Sequence, residues 1–164
     1  MECSAVIRVC VIDDDWRALD EAVESLRYAP GVECTGAYND CKLAELEIPK
    51  LLPDIVLIEA NLQDDSGIAC LRRLKHACPD VEFVMLTNSV DDTTIFDSLG
   101  AGAVGYVVKG CPEHELLSAI QMVYKGGSLL SRPISRKVVE QLRRLDKIGF
   151  DPEIEEVALD SNLR

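Results

Sequence analysis

The sequence has no CxxC pair, no internal repeat, no low-complexity segment and no basic leader. Its opening residues, MECSAVIRVCVIDDD, carry an apolar run that three aspartates cut short, so they read as neither a secretory signal nor a membrane span. The expectation is a cytoplasmic protein without membrane contact. Basic residues are also scarce: 17 Lys and Arg face 29 Asp and Glu, a net charge of -12. Such a field repels phosphate backbones and anionic lipid, which argues against nucleic-acid binding by the visible chain, and it favours cations and basic partner faces. The seven cysteines are odd in number, and Cys10 and Cys70 fall inside apolar patterns where cysteine behaves as a small hydrophobe. That usage suggests a reducing cytosol and assigns the cysteines, like Tyr124, to packing.

What is present is enough for one good core. The chain has 164 residues, 48% of them hydrophobic, which predicts one domain plus a short appendage. Short β-branched runs at Ile7 to Ile12, Val32 to Ala37, Asp54 to Ile58, Val81 to Leu86 and Ala103 to Val108 have strand length. Between them apolar residues recur at helical spacing: Trp16, Leu19, Val23 and Leu26; Leu43 and Leu46; Ile68, Leu71 and Leu74; Ile95 and Leu99; Leu116, Ile120 and Val123. The pattern is (βα)5, an α/β doubly wound parallel five-stranded sheet of flavodoxin-like type, because parallel neighbours need helical crossovers. Beyond Gly126-Gly127 a further C-terminal helix is predicted from Ile134, Val138, Leu142 and Leu145, with a basic run of Arg136, Lys137, Arg143 and Arg144. Residues 1–126, 127–148 and 149–164 thus read as a domain, a linker helix and an acidic tail, in which Asp151 and Pro152 suit a helix start.

Ligands of open α/β sheets sit outside the carboxyl ends of the strands. There the chain places Asp13, Asp14 and Asp15 after the first run, Glu59 after the third, Thr87 after the fourth and Lys109 after the fifth. Carboxylates gathered from two strands repel unless a cation neutralises them, and hard oxygen ligands suit Mg²⁺ shared with a phosphate. A Thr87 hydroxyl and a Lys109 ammonium would address phosphoryl oxygens. Singly these residues read as a solvated charge, a backbone-bonding hydroxyl and an exposed acidic turn; as a set at successive strand ends they read as a site.

At these residues the chain resembles the receiver domains of two-component response regulators, over residues 6 to about 126. VIDDD matches the acidic pair at Asp13 and Asp14, DIVLIEANLQDDSG the phosphoacceptor strand and loop at Glu59 and Gly67, VMLTNS the switch hydroxyl at Thr87, and GAVGYVVKG the aromatic and lysine at Tyr106 and Lys109. The GAxGYxxK form and the following GGSLLS resemble the LuxR/NarL-type branch, whose receivers precede a DNA-binding helix-turn-helix. The resemblance implies a regulatory domain rather than an enzyme. It also implies Mg²⁺ held by Asp13, Asp14, the residue at 59 and the backbone carbonyl of Asn61, switch residues Thr87 and Tyr106, a sensor histidine kinase as partner, and a homodimer. Tyr106 also has a plainer reading, a half-buried strand aromatic. Asp15 reads as a helix cap and Trp16 as a packing residue near the site mouth, while Asn88 and Ser89 either tune access or form a turn.

Two positions depart from that family. Glu59 stands where the phosphoacceptor is Asp, and Gln63 where the loop usually has Pro. The extra methylene displaces the nucleophilic oxygen by roughly an ångström, enough to cost about a hundredfold in a positioned reaction, and it carries a negative charge towards Thr87 and Lys109. Glu59 either reaches the metal or crowds it. The reading that follows is a phosphorylation-independent receiver in which Glu59 imitates the phosphorylated state. Its alternatives are a conventional phospho-accepting receiver, a pure interaction module, and a small Mg-dependent phosphatase suggested by Asp13-x-Asp15. The tail FDPEIEEVALDSNLR faintly resembles the opening of the branch's helix-turn-helix, and DNA contact is expected only through an output domain missing from the visible chain.

Overall fold

The run IRVCVI forms β1 (Ile7–Ile12), and Asp15 then caps α1 (Trp16–Arg27) by accepting from the amides of Arg17 and Ala18. A computed structural model describes residues 4–149; the expectations for Asp151, Pro152 and the acidic tail fall outside them. The order continues β2 (Val32–Tyr38), α2 (Cys41–Leu51), β3 (Ile55–Ile58), α3 (Gly67–Ala77), β4 (Glu82–Thr87), α4 (Asp92–Ala101), β5 (Ala103–Val108), α5 (Glu113–Tyr124), β6 (Leu129–Leu130) and α6 (Arg132–Gly149). Asp40, Ser66 and Asp91 cap α2, α3 and α4 in the manner of Asp15, each satisfying amides that no helical carbonyl reaches. Among the described residues no helix is long and apolar enough to cross a membrane.

The strands form one parallel sheet in the order β2-β1-β3-β4-β5-β6. The doubly wound architecture is as expected, with a two-residue β6 added beside Gly105 and Tyr106. A strand that short carries no periodicity, so the segment expected to be linker from residue 127 contributes to the sheet before α6 begins. The chain divides into two units between Ser131 and Arg132. Within the first, Leu19, Leu26, Leu116 and Ile120 of α1 and α5 pack on Val9, Val11, Leu57 and Val84. All four residues of β3 are buried because helices cover both faces of the sheet.

The chain runs outward from β1 to β2 and then back to β3 on the other side, so β1 and β3 meet at the switch point where ligands bind in such sheets. Backbone bonds carry the ladder on into the site: Asp13 N–H donates to Tyr38 O (3.0 Å), Glu59 N–H to Ile12 O (3.0 Å) and Lys109 N–H to Thr87 O (3.0 Å).

Three packing expectations are corrected. Trp16 is 64% exposed: it opens α1, whose buried stripe is Leu19, Ala22 and Leu26. Tyr124, the last residue of α5, is exposed as well. Leu43 and Leu46 face outward, and α2 buries Cys41, Ala44 and Ile48 instead.

At the start of α3, Gly67 N–H donates to Ala60 O (2.8 Å), and a Cβ on Gly67 would lie 1.8 Å from the Glu59 carbonyl oxygen. Only glycine permits this approach of backbone to backbone. Gly67→Ala is therefore expected to cost about 3 kcal/mol in urea unfolding, since neither backbone segment can yield without losing its own bonds.

Candidate functional site

β1, β3, β4 and β5 deliver Asp13, Glu59, Thr87 and Lys109 to one point. Lys109 Nζ lies 2.6 Å from Asp13 Oδ2 and forms a second ion pair with Glu59 Oε2. The three side chains are only 17%, 5% and 9% exposed, so solvent screens the cluster little. Burial opposes the charge on Lys109, but its bonds to Asp13 and Glu59 prevail and hold the ammonium above the ordinary lysine range. Burial pushes the Asp13 carboxyl up, against the lowering effect of Lys109 and of the Asp15 amide.

Glu59 has the reach to serve two partners. While Oε2 faces Lys109, Oε1 accepts from Thr87 Oγ1 in a short hydrogen bond and from Asn61 N–H at 3.1 Å. Thr87 Oγ1 accepts in turn from Ser89 N–H (3.2 Å), and the Tyr106 hydroxyl donates to Ser89 O at 2.7 Å. A continuous chain of bonds thus runs from Glu59 to Tyr106. Tyr106 is fully buried rather than half-buried, and burial, followed by the charges of Asp91 and Glu59, raises its phenol so that it remains a donor. Asn61 Nδ2 adds a bond to Ser89 Oγ (2.6 Å), tying the loop after β3 to the loop after β4. Ser89, one of two roles left open in the sequence, is the junction of this chain; Asn88 is exposed. No spacing rule marks Ser89, because its links to Thr87 and Tyr106 are made by backbone atoms.

Asp14 stands apart from the pair of ion-paired acids. Its Oδ2 accepts from Gln63 N–H at 2.5 Å. A proline at 63 has no N–H to give, so this bond depends on the departure from the family pattern.

As arranged, most of these carboxylate oxygens turn to protein partners. Asp13 Oδ1 accepts from Asp15 N–H, Asp13 Oδ2 faces Lys109, both oxygens of Glu59 are engaged, and Asp14 turns to Gln63. Lys109 supplies the neutralising charge. Among the described residues, the only group of three acidic, Cys or His side chains whose donor atoms lie within 4.8 Å of one another is Cys41, Glu45 and Cys70.

That group was not foreseen. Cys41 and Cys70, taken from sequence as packing residues, form a disulfide between the first turns of α2 and α3. Residues 29 positions apart carry no motif, and only the fold brings them together.

A parallel α/β sheet with paired acids, a hydroxyl and a lysine at successive strand ends defines a receiver-type domain. The response regulator receiver domain model matches residues 9–121, and the chain belongs to that family. It is 30% identical over 138 residues, 84% of this chain and 64% of the relative, to the DNA-binding transcriptional activator DevR/DosR of Mycobacterium tuberculosis. It is 27% identical over 138 residues, 84% of this chain and 65% of the relative, to the transcriptional regulatory protein LiaR of Bacillus subtilis. The chain thus spans a little under two thirds of the length of these curated relatives. Among solved structures, a two-component response regulator of the LuxR family from Aurantimonas sp. superposes with a TM-score of 0.79, at 23% identity over 84% of this chain and 98% of that one. At that identity the likeness speaks to the fold.

Lys109→Met tests the cluster. Two buried carboxylates left without their cation are expected to cost about 3 kcal/mol in urea unfolding at neutral pH. Because the Lys109 pKa is raised by folding, its contribution is present below the ordinary lysine value and is lost as pH rises through the folded one. The gap between wild type and Lys109→Met should therefore persist through the ordinary lysine range and close only above it.

Proposed function

We propose that this chain is a signalling receiver in which Glu59 acts as a permanent anion, holding Thr87 and Tyr106 where an occupied site would hold them, and that it works by controlling partner binding rather than as an enzyme. The observation that carries this reading is the bond from Thr87 Oγ1 to Glu59 Oε1, continued through Ser89 to the buried Tyr106. In the receiver family Thr87 and Lys109 address the oxygens of a phosphoryl group; here they address the two oxygens of Glu59. The carboxylate is then spent on binding. A nucleophile must instead present a free oxygen in line with the donor.

Mg²⁺ is the ion this family's acidic pocket holds, and Asp13, Asp14, Glu59 and the Asn61 carbonyl are the positions that would supply its oxygens. On our reading Lys109 takes over the neutralising role, so the resting state does not require the ion. A sensor histidine kinase remains the partner class such domains serve, without being needed to set this one. The cytoplasm is the compartment in which such a partner acts. DNA binding, declared in the name of the mycobacterial relative, is not a role for residues of net charge -12; it would belong to an output domain of the kind that branch carries.

Intact-mass measurement with acetyl phosphate and Mg²⁺, on wild type beside Glu59→Asp and Glu59→Asp/Gln63→Pro, tests the site. Wild type is expected to stay unmodified and the variants to gain one phosphoryl group, the double variant faster because Asp14 is released. Stoichiometric phosphorylation of Glu59 would return the protein to the conventional class. No response from any of the three would favour an interaction scaffold with a structural ion cluster.

α6 carries Ile134, Val138, Leu142 and Leu145 at helical spacing, with Leu142 and Leu145 more than half exposed. We read it as a helix that pairs with a second copy. Sedimentation should show wild type dimeric at micromolar concentration and Leu142→Glu/Leu145→Glu monomeric, since two charges on the apolar stripe cannot be buried together.

A further inference from the structure

The strongest feature outside the ion cluster is the covalent tie between α2 and α3. Cys41 is the first residue of α2 and is 5% exposed; Cys70 lies in the first turn of α3 and is fully buried. Their Cα atoms are 6.3 Å apart, within the span of about 4.4–6.8 Å that a disulfide bridges. Glu45 Oε1 lies 3.4 Å from Cys41 Sγ, and Arg73 Nη2 lies 3.6 Å from the same sulfur. Arg73 also pairs with Glu45 (2.5 Å) and with Asp65, whose carboxyl it holds below the usual range.

The same residues meet the distance criterion for a metal site, but a fixed guanidinium among them repels a cation, and three ligands leave a zinc shell incomplete. The α2 N-terminus and Arg73 instead favour a thiolate at Cys41, against the nearby Glu45 carboxylate. Cys41 also lines a cleft of about 460 Å³ shared with four acids, Asp14, Asp40, Asp64 and Asp65, and one cation, Lys42, whereas Cys70 is fully buried and outside that lining. One sulfur is placed to meet a reagent and the other to resolve what forms.

We propose that Cys41 and Cys70 are a reversible oxidation site for low-molecular-weight disulfides, and that its redox state sets how firmly the loop from Asn61 to Ser66 is held beside the ion cluster. The Cys41 thiolate attacks one sulfur of RSSR, and RS⁻ leaves and takes a proton. The Cys70 thiolate then attacks Cys41 Sγ and expels the second RS⁻. Two protein thiols are oxidised, RSSR is reduced to two RSH, and the two protons lost by the cysteines end on the leaving thiols. Disulfides that persist in reducing compartments are mostly transient or sensing ones, which fits a receiver better than a permanent staple does.

The link to the site is structural. α3 begins on Gly67, seated against the carbonyls of Glu59 and Ala60, and its cap Ser66 ends the loop in which Gln63 N–H holds Asp14. Fixing the first turn of α3 to α2 restrains that loop at its far end. The acid-lined cleft also predicts selectivity: a cationic disulfide should enter faster than an anionic one.

The full chain, reduced with dithiothreitol, would be exposed to cystamine or to oxidised glutathione, its free thiols blocked with N-ethylmaleimide, and its peptides mapped by mass. The expected product is the Cys41–Cys70 peptide pair, formed about tenfold faster with cystamine at low salt, a gap that narrows as salt rises. Dithiothreitol should reverse it in the folded protein. The oxidised form should melt about 5–10 °C higher and slow amide exchange across residues 61–66. Cys70→Ala should trap the mixed disulfide on Cys41, a signature that a purely structural bond would not leave. Alkylation of both cysteines after oxidant, pairing with any other cysteine, or reduction only after unfolding would overturn the proposal. None of these outcomes depends on Glu59, whose role phosphoryl transfer reports separately.

Discussion

The ammonium of Lys109 between Asp13 and Glu59 is the interaction on which the rest of the site rests. β1 and β3 are neighbours at the centre of the sheet, so their carboxyl-terminal acids meet whether or not they have a counterion. Two such buried charges repel and lose their hydration, and at Asp13 burial is the larger of the two costs. Lys109 offsets the repulsion because its own backbone is clipped to Thr87 and its side chain reaches both acids. The charge arrives from β5, with β3 and β4 lying between it and β1, so the ion cluster also ties the sheet together across its carboxyl edge.

With the repulsion neutralised, the second oxygen of Glu59 is free to draw in Thr87. Glu59 and Gln63 then act in the same direction. The longer acid engages the hydroxyl and the lysine, and the N–H that Gln63 has and a proline lacks holds Asp14 to the loop. An aspartate at 59 would be a methylene short of Thr87 and Lys109 together. A proline at 63 would leave Asp14 turned outward to recruit an ion. Each residue alters a different partner, yet both exchange outward-facing oxygens for internal bonds.

Much of this was legible beforehand. The limits of β1 and β5 coincide with their apolar runs, Asp15 caps its helix as its residue type suggests, and the site residues stand at strand ends because a buried parallel strand must end where its polar residues begin. The parts that were not legible share a cause. β6 is two residues long, Ser89 reaches Thr87 and Tyr106 through backbone atoms, and Trp16 stands in the first turn of α1, outside its buried stripe. In each case the deciding quantity is where one element ends relative to another, which periodicity does not encode.

α2 shows what that limitation conceals. Leucines at helical spacing pointed to Leu43 and Leu46 as its buried face, but the inner face carries Cys41, Ala44 and Ile48. Cys41 and Ala44 bury less apolar area than leucines would in their place, at about 25 cal/mol per Å² of it, while Ile48 is fully buried. α2 and α3 are also joined by the Cys41–Cys70 bond and the bridge from Arg73 to Glu45. The covalent link and the ion bridge thus add specific bonds to the packing of Ala44 and Ile48. The same exchange of apolar contact for specific bonds that shapes the Glu59 cluster recurs one layer out, at the helix seated on the Glu59 carbonyl.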